Sequence, residues 1–372
     1  MLVHRTHNTN GCLKISSFLP EASSEDPLIP SKLIDLSCLS METIGESSII
    51  PRETSLINFS LNDELDDEPV VFFNPKGAFY APQKLEPIED NVKVAAVDVS
   101  SIKIGETDNG AIYAIRGAVA WKLNENYFYI RCGPLAYHLT PQTRPSISRM
   151  LGFQNTANQS FSTTLDIHIL VRLRNILERW MQKFICSTFR DSIALFDGSL
   201  TAGTPDIPVS QLKVILDAAK ENGNIVLAFS KKTKLCFEGH RITDLVEKMH
   251  PPSLLNVDHL VSKQFTTPQI HLMGRIYVSK LTQHGFAFRM DADREVPEEC
   301  CFLAVRRLIG SDLVENGYPE TLRLAHVLST FTANEVIGIQ GFMAGTYGAQ
   351  IAHKPSLRRT LFGPFGTSKE VF

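Results

Sequence analysis

The chain lacks a paired-cysteine motif, a membrane-length apolar run and a net positive charge, and each absence removes a class of protein. Its seven cysteines form no CxxC and no Cys/His finger spacing, and Cys300 and Cys301 are adjacent. That excludes a zinc finger or a disulfide frame and points to reduced, structural thiols in a cytoplasmic protein. No uninterrupted apolar segment, at the N-terminus or elsewhere, approaches the ~18 residues of a membrane span. A soluble protein is expected. The formal net charge of -3 gives no global basic balance, so any surface for a polyanion has to be local. Glycine is sparse around Asp98 and no internal repeat is evident.

What is present is ordinary globular material. Of 372 residues, 43% are apolar and 21% charged, enough for a sizeable core and for two domains or one large one with extensions. Residues 1–90 differ from the rest. They are rich in Ser, Pro and acidic residues, notably Glu21 to Pro30 and Asn62 to Glu68. Their hydrophobic periodicity is weak, so they read as an irregular N-terminal extension with one short helix around Pro30 to Cys38. The extension is either an arm for dimer or partner contacts or a loosely packed addition. Residues 91–372 form the main domain.

From Asn91 the pattern sharpens. Val92 to Asp98 reads as a strand, and Ala111 to Trp121 with Tyr127 to Arg131 as a hairpin. Leu165 to Ile185 is a helix, because Leu170, Leu173, Leu177, Trp180 and Phe184 recur at three- and four-residue spacing. Ile193 to Asp197 is a strand and Gln211 to Glu221 a helix, stopped by Asn222-Gly223-Asn224. Ile225 to Phe229 is a strand again. Further on, Ile270 to Ser279 and Gly285 to Met290 form a second hairpin. Glu299 to Leu308 and Pro319 to Thr330 are helical additions, and Ala333 to Ala352 is left unassigned. The order β-β-β-α-β-α-β is that of an α/β, ribonuclease-H-like mixed sheet flanked by helices.

In that architecture the first strand, the first long helix and the fourth strand each deliver a carboxylate to one end of the sheet. Here they carry Asp98, Glu178 and Asp197. Hard divalent ions such as Mg²⁺ and Mn²⁺ take oxygen ligands, and phosphodiester hydrolysis uses two of them about 3.5–4 Å apart. Each residue also has a plainer reading: Asp197-Gly198 as a turn, Glu178 as an i,i+4 partner of Arg174. Asp166 competes with Glu178 as the helix carboxylate. Lys231-Lys232-Thr233-Lys234 directly follows a strand, which puts cations at the carboxylate end where they would offset phosphate charge. Arg144, Arg149, Arg172, Arg174, Arg179, Lys183 and Arg190 give a locally basic stretch, a binding surface or a solvated helix face. Arg275, Lys280 and Arg289 would extend a DNA path. Tyr113, Trp121, Tyr127 and Tyr129 would either stack on bases or fill the core.

Five blocks, in this order, resemble the NurA family of DNA-repair nucleases: Ala96-Val97-Asp98-Val99-Ser100, the helix with Glu178, Leu195-Phe196-Asp197-Gly198-Ser199-Leu200, Val226 to Thr233, and Gly317-Tyr318-Pro319 to Ala325-His326. The resemblance spans about residues 91 to 330. Its most specific element is the eight-residue step from Tyr318 to His326. One departure is Val99, which stands after Asp98 where the family has glycine. The resemblance implies a ribonuclease-H-like nuclease, typically dimeric and dependent on manganese, with magnesium as the alternative and two ions in the site. It also implies action on DNA ends and single strands in double-strand break repair, together with the HerA-type hexameric translocase. Carried over, Asp98, Glu178 and Asp197 would ligate metal and His326 would complete the site. Tyr318 would stand beside it, and Lys231, or its neighbour Lys232, would face substrate phosphate.

Two rival readings share the core topology. An ATP-binding protein of the actin and sugar-kinase type needs glycine-rich phosphate loops in two matching halves, and the halves here do not match. A non-catalytic scaffold that binds a translocase would be favoured by loss of one of the three carboxylates, and all three are present.

Overall fold

The structure is a computed structural model that describes residues 29–45, 47–51, 71–73, 81–152, 163–203, 208–233, 235–237, 240–246, 249–265 and 271–352. The acidic run 62–68 and Lys234 lie outside the described residues. The frame is an eleven-stranded mixed sheet. Its strands are β1 (Ser48–Pro51), β2 (Gln83–Lys84), β3 (Val94–Thr107), β4 (Gly110–Leu123), β5 (Asn126–Leu139), β6 (Ile193–Asp197), β7 (Ile225–Ser230), β8 (Ser253–Asn256), β9 (Gly274–Lys280), β10 (Phe288–Asp293) and β11 (Gln350–Ile351). The helices are α1 (Ser31–Met41), α2 (Thr143–Met150), α3 (Thr163–Thr188), α4 (Val209–Glu221), α5 (Glu298–Ser311), α6 (Glu320–Ser329) and α7 (Ala333–Tyr347).

Across the sheet the strands run β5-β4-β3-β6-β7-β10-β9-β8-β2, with β1 and β11 alongside the far end of β3. The β3-β4-β5 meander is antiparallel, while β3–β6 and β6–β7 are parallel. This is an α/β, ribonuclease-H-like arrangement: a three-stranded meander, then two parallel strands on its other side reached through helices. The short central strands explain themselves. Ile193-Ala194-Leu195-Phe196 and Val226-Leu227-Ala228-Phe229 are buried on both faces, so they are continuously apolar, as covered parallel strands must be.

The two faces have different coverings. Ala95, Val97, Ala194, Phe196, Val226 and Ala228 meet the apolar stripe of α3 (Leu170, Leu173, Leu177) and α4 (Leu212, Ile215, Leu216). The alternate residues Val94, Ala96, Ile193, Leu195, Leu227 and Phe229 meet α5 and α6 through Val305, Leu308, Leu322 and Ala325. Each fully buried Leu, Ile or Val contributes roughly 1.5–3 kcal/mol. A one-residue slip in β6 would exchange its two faces, so this alternation fixes which side Asp197 occupies.

Three elements differ from the sequence expectation. The first strand does not end at Asp98 but runs on to Thr107. Its second half is polar in sequence and is held by backbone pairing with β4 along its whole length. The segment 333–352, unassigned above, opens with α7. Thr332 and Glu335 form a reciprocal capping box at its start, and Gly348 at φ 71° ends it. The segment before residue 91 is built into the fold where it is described. Helix α1 buries Leu33 and Leu36, β1 pairs with β3, and Leu85 enters the α5 face.

Candidate metal centre at the strand ends

Register alone brings two acids together. The last paired residues of β3 and β6 are Val97 and Phe196, so Asp98 and Asp197 follow at one level on neighbouring parallel strands, about 4.8 Å apart. Both point to the α5–α6 face, as Ala96 and Leu195 do. Strand β6 stops at this point because Gly198 takes φ 102°, a conformation that costs glycine little and other residues more. The turn is fixed by Gly198 N–H donating to Phe229 O at 2.8 Å and Leu200 N–H donating to the buried Asp291 carboxylate at 3.0 Å.

Helix α6 lies across this end and supplies the third group. His326 Nδ1 is 3.2 Å from Asp98 Oδ2, and Ser329, three residues on and therefore on the same helix face, donates its hydroxyl to the same oxygen. Ser329 in turn lies 2.8 Å from Ser100 Oγ. One ligand atom from each of Asp98, Asp197 and His326 falls within 4.8 Å of the others. Lys231, just beyond β7, places Nζ 2.6 Å from Asp197 Oδ2 and 5.7 Å from the centre of the Tyr318 ring. Of the two lysines after the strand, Lys231 forms this ion pair with Asp197.

Tyr318 reaches the site from a tight hairpin, Val314–Glu315 paired with Tyr318–Pro319. Its turn residues Asn316 and Gly317 both have positive φ, 53° and 85°, the signature of a type I′ Asn-Gly turn. Pro319 is thus the residue before α6 and not its first turn. The Tyr318 ring packs on Phe288 and Phe229, with centroids at 5.3 and 6.2 Å. Its hydroxyl is buried without a hydrogen-bond partner among the described residues, approaching Asp197 without hydrogen-bond geometry. Burial and the two aspartates push that phenol well above its usual range.

Glu178 stands behind this cluster, not within it. It projects from α3 and accepts from Gln182 Nε2 at 3.0 Å, and Gln182 accepts from Arg179 at 2.7 Å. Burial, followed after the opposing Arg179 by the Asp98 carboxylate, raises Glu178 to about 7. The competing carboxylate is elsewhere. Asp166 is twelve residues earlier on α3, about 18 Å away at 1.5 Å per residue, and is gripped by Arg144 at 2.6 and 2.9 Å. The two strand aspartates diverge. Burial opposes the charge on Asp98, but the His326 and Ser329 bonds outweigh it and hold its pKa low. Burial raises Asp197, and Lys231 only partly offsets this.

Several sequence expectations are corrected. Arg289 does not line a DNA path: it is fully buried and paired with Asp291 through two bonds of 2.8 Å. Arg275 turns back to the carbonyls of Val296 and Arg294. Tyr113 and Trp121 are core, the latter stacked on Phe128 at 5.8 Å. Tyr127 donates to Asp312 at 2.7 Å. Ser329 was not anticipated, since a serine three residues after a histidine carries no sequence signal.

The arrangement fits a divalent cation. Its donors are hard oxygens with one imidazole, two of them aspartates on adjacent strand ends. Among solved structures, the chain is similar to the NurA nuclease from Sulfolobus solfataricus, with 16% identity, 71% of this chain and 88% of that chain covered, and TM-score 0.45. It is also similar to NurA bound to dAMP and manganese (10% identity, 68% and 88% covered, TM-score 0.38). A third similar structure is Endonuclease V from Bacillus subtilis (11% identity, 72% and 88% covered, TM-score 0.32). No family model matches the chain, and no curated protein matches it. No helix among the described residues is long and apolar enough to cross a membrane.

Proposed function

We propose that this protein is a metal-dependent deoxyribonuclease. The observation that carries the reading is the convergence of Asp98, Asp197 and His326 ligand atoms within 4.8 Å, at a sheet end that also holds Lys231 and Tyr318. Asp98, Asp197 and His326 would hold a divalent ion, manganese or magnesium, with Glu178 completing a second position. A bound divalent ion supplies a nucleophilic water at neutral pH and offsets charge on the leaving oxygen.

The chain's own groups do the rest. Lys231, 40% exposed and resting on the Tyr318 ring, is the cation that turns from Asp197 to a phosphate oxygen. Tyr318 limits the directions that the lysine can take. Ser329 and His326 fix the rotamer of Asp98, so its carboxylate needs no reorganisation when it is used.

The motif resemblance extends the reading to exonuclease and single-strand endonuclease activity in DNA end processing, as a cytoplasmic homodimer with a HerA-type hexameric translocase. The test is cleavage of end-labelled single- and double-stranded DNA with Mn²⁺, Mg²⁺ or EDTA, comparing wild type with folded Asp197→Ala. Metal-dependent cutting that disappears in Asp197→Ala is expected. DNA binding without cutting, alone or with a translocase, would leave a scaffold in its place.

A further inference from the structure

The hairpin between β9 and β10 carries an aromatic residue that the fold does not use. Phe286 is 70% exposed, the most exposed of the large apolar side chains among the described residues. A single exposed apolar residue is ordinary; what sets this one apart is how it is held. Phe286 N–H donates to Asn316 O at 2.9 Å, which ties the hairpin tip to the Asn-Gly turn that presents Tyr318.

The two backbones meet closely. A Cβ on Gly285 would lie 2.5 and 2.6 Å from Asn316 C and Gly317 N, and one on Gly317 would lie 2.4 Å from Phe286 O. Real Cβ atoms do not approach backbone so closely, so glycine is required on both sides. Two residues below, Phe288 packs on the Tyr318 ring. Asn316 to Tyr318 is two residues, at most about 7 Å of chain. The exposed ring is therefore carried on backbone tied directly to the turn that presents Tyr318.

We infer that Phe286 is a stacking platform for an unpaired nucleobase beside the phosphodiester bound at the metal centre. This rests on the nuclease reading and deepens it by naming a residue that holds an unpaired base of a single strand or splayed end, where bases can leave the helix stack. A ring of this kind takes any base, because every base has a π-face. It favours unpaired strands without selecting sequence. Fold stability does not depend on it, since its side chain is mostly in water.

The test uses the full chain as wild type, Phe286→Ala and Phe286→Trp. The probe is a set of oligothymidylates, each with one 2-aminopurine at a different position, bound in Ca²⁺ so that strands stay intact. Wild type and Phe286→Trp are expected to quench 2-aminopurine at one position. Phe286→Ala is expected to lose that quenching and to bind single strands roughly tenfold more weakly, within the range for one stacked base. In Mn²⁺, the same variant is expected to raise KM on single strands more than it lowers kcat. Unchanged quenching and affinity in Phe286→Ala would overturn the inference, as would absence of position-specific quenching by wild type. The nuclease reading fails separately, by absence of metal-dependent cutting, which the binding signal does not require.

Discussion

Away from the strand ends, three acids meet guanidinium groups directly. Asp291 meets Arg289 through two bonds of 2.8 Å, Asp166 meets Arg144 at 2.6 and 2.9 Å, and Glu335 joins Arg116 and Arg131 at 2.9 and 2.6 Å. At the strand ends Asp98 and Asp197 sit side by side, Asp98 against the His326 imidazole and Asp197 against Lys231, with Glu178 behind them beside Arg179. The first arrangement satisfies charge within the chain, for Asp291 and Asp166 through bidentate geometry that suits a carboxylate. The second gathers like charges in a place that burial makes costly. Burial keeps Asp197 and Glu178 above the usual carboxylate range despite their cationic neighbours, and a divalent cation is what that cluster fits.

The comparison breaks most sharply at Asp197. Asp197→Asn is expected to lower Mn²⁺-dependent DNA cleavage at least on the order of 10²-fold, yet to leave the thermal midpoint in EDTA unchanged or higher, because it removes a like charge. A cleavage assay beside a melting curve checks both. Asp291→Ala should do the reverse in kind. It takes the bidentate partner from a buried arginine, and loss of about 3–5 kcal/mol in urea unfolding is expected. Because Asp291 also receives Leu200 N–H, the turn after Asp197 loosens and cleavage falls as well. Equal destabilisation by the two substitutions would erase the distinction between the two acids.

How far this was readable from sequence follows the same division. Asp98 and Asp197 were legible because buried parallel strands are apolar without interruption, and a carboxylate that breaks such a run stands out. The α3 stripe and the Tyr318-to-His326 spacing were legible for similar local reasons. Pairing was not. Nothing local shows that Asp166 belongs to Arg144, twenty-two positions away, or that Arg289 points inward to Asp291. The second half of β3 was hidden because a strand held by neighbours on its backbone needs no apolar signature. Helix α7 was hidden because its glycines obscure a helix that its capping box starts. Ser329 and Phe286 gain their meaning from what the fold places opposite them.

Acid titration sharpens the contrast in two opposite slopes. Glu178 is raised from 4.5 to about 7, chiefly by burial, so its protonated form suits the fold. The stability it allows is fully present below about pH 4.5 and is lost as pH rises through about 7. Glu178→Gln should therefore be more stable than wild type in EDTA above pH 7, by up to about 3 kcal/mol, with the gap narrowing when Mn²⁺ is added.

Glu335 is the opposite case and the smaller effect. Burial works against its charge, but the Thr332 N–H and the guanidinium groups of Arg116 and Arg131 override it and hold it at about 2. Its contribution is present above the usual 4.5 and disappears as pH falls toward 2. The Glu335 side chain is 29% exposed, so solvent screening reduces the effect, and Glu335→Gln is expected to cost about 1–2 kcal/mol at pH 7 and little near pH 2. Urea unfolding of both variants from pH 2 to 8 reads the two slopes directly. Slopes of the same sign would mean that Glu178 is charge-paired as Glu335 is, and the case for a cation at the strand ends would lose its electrostatic support.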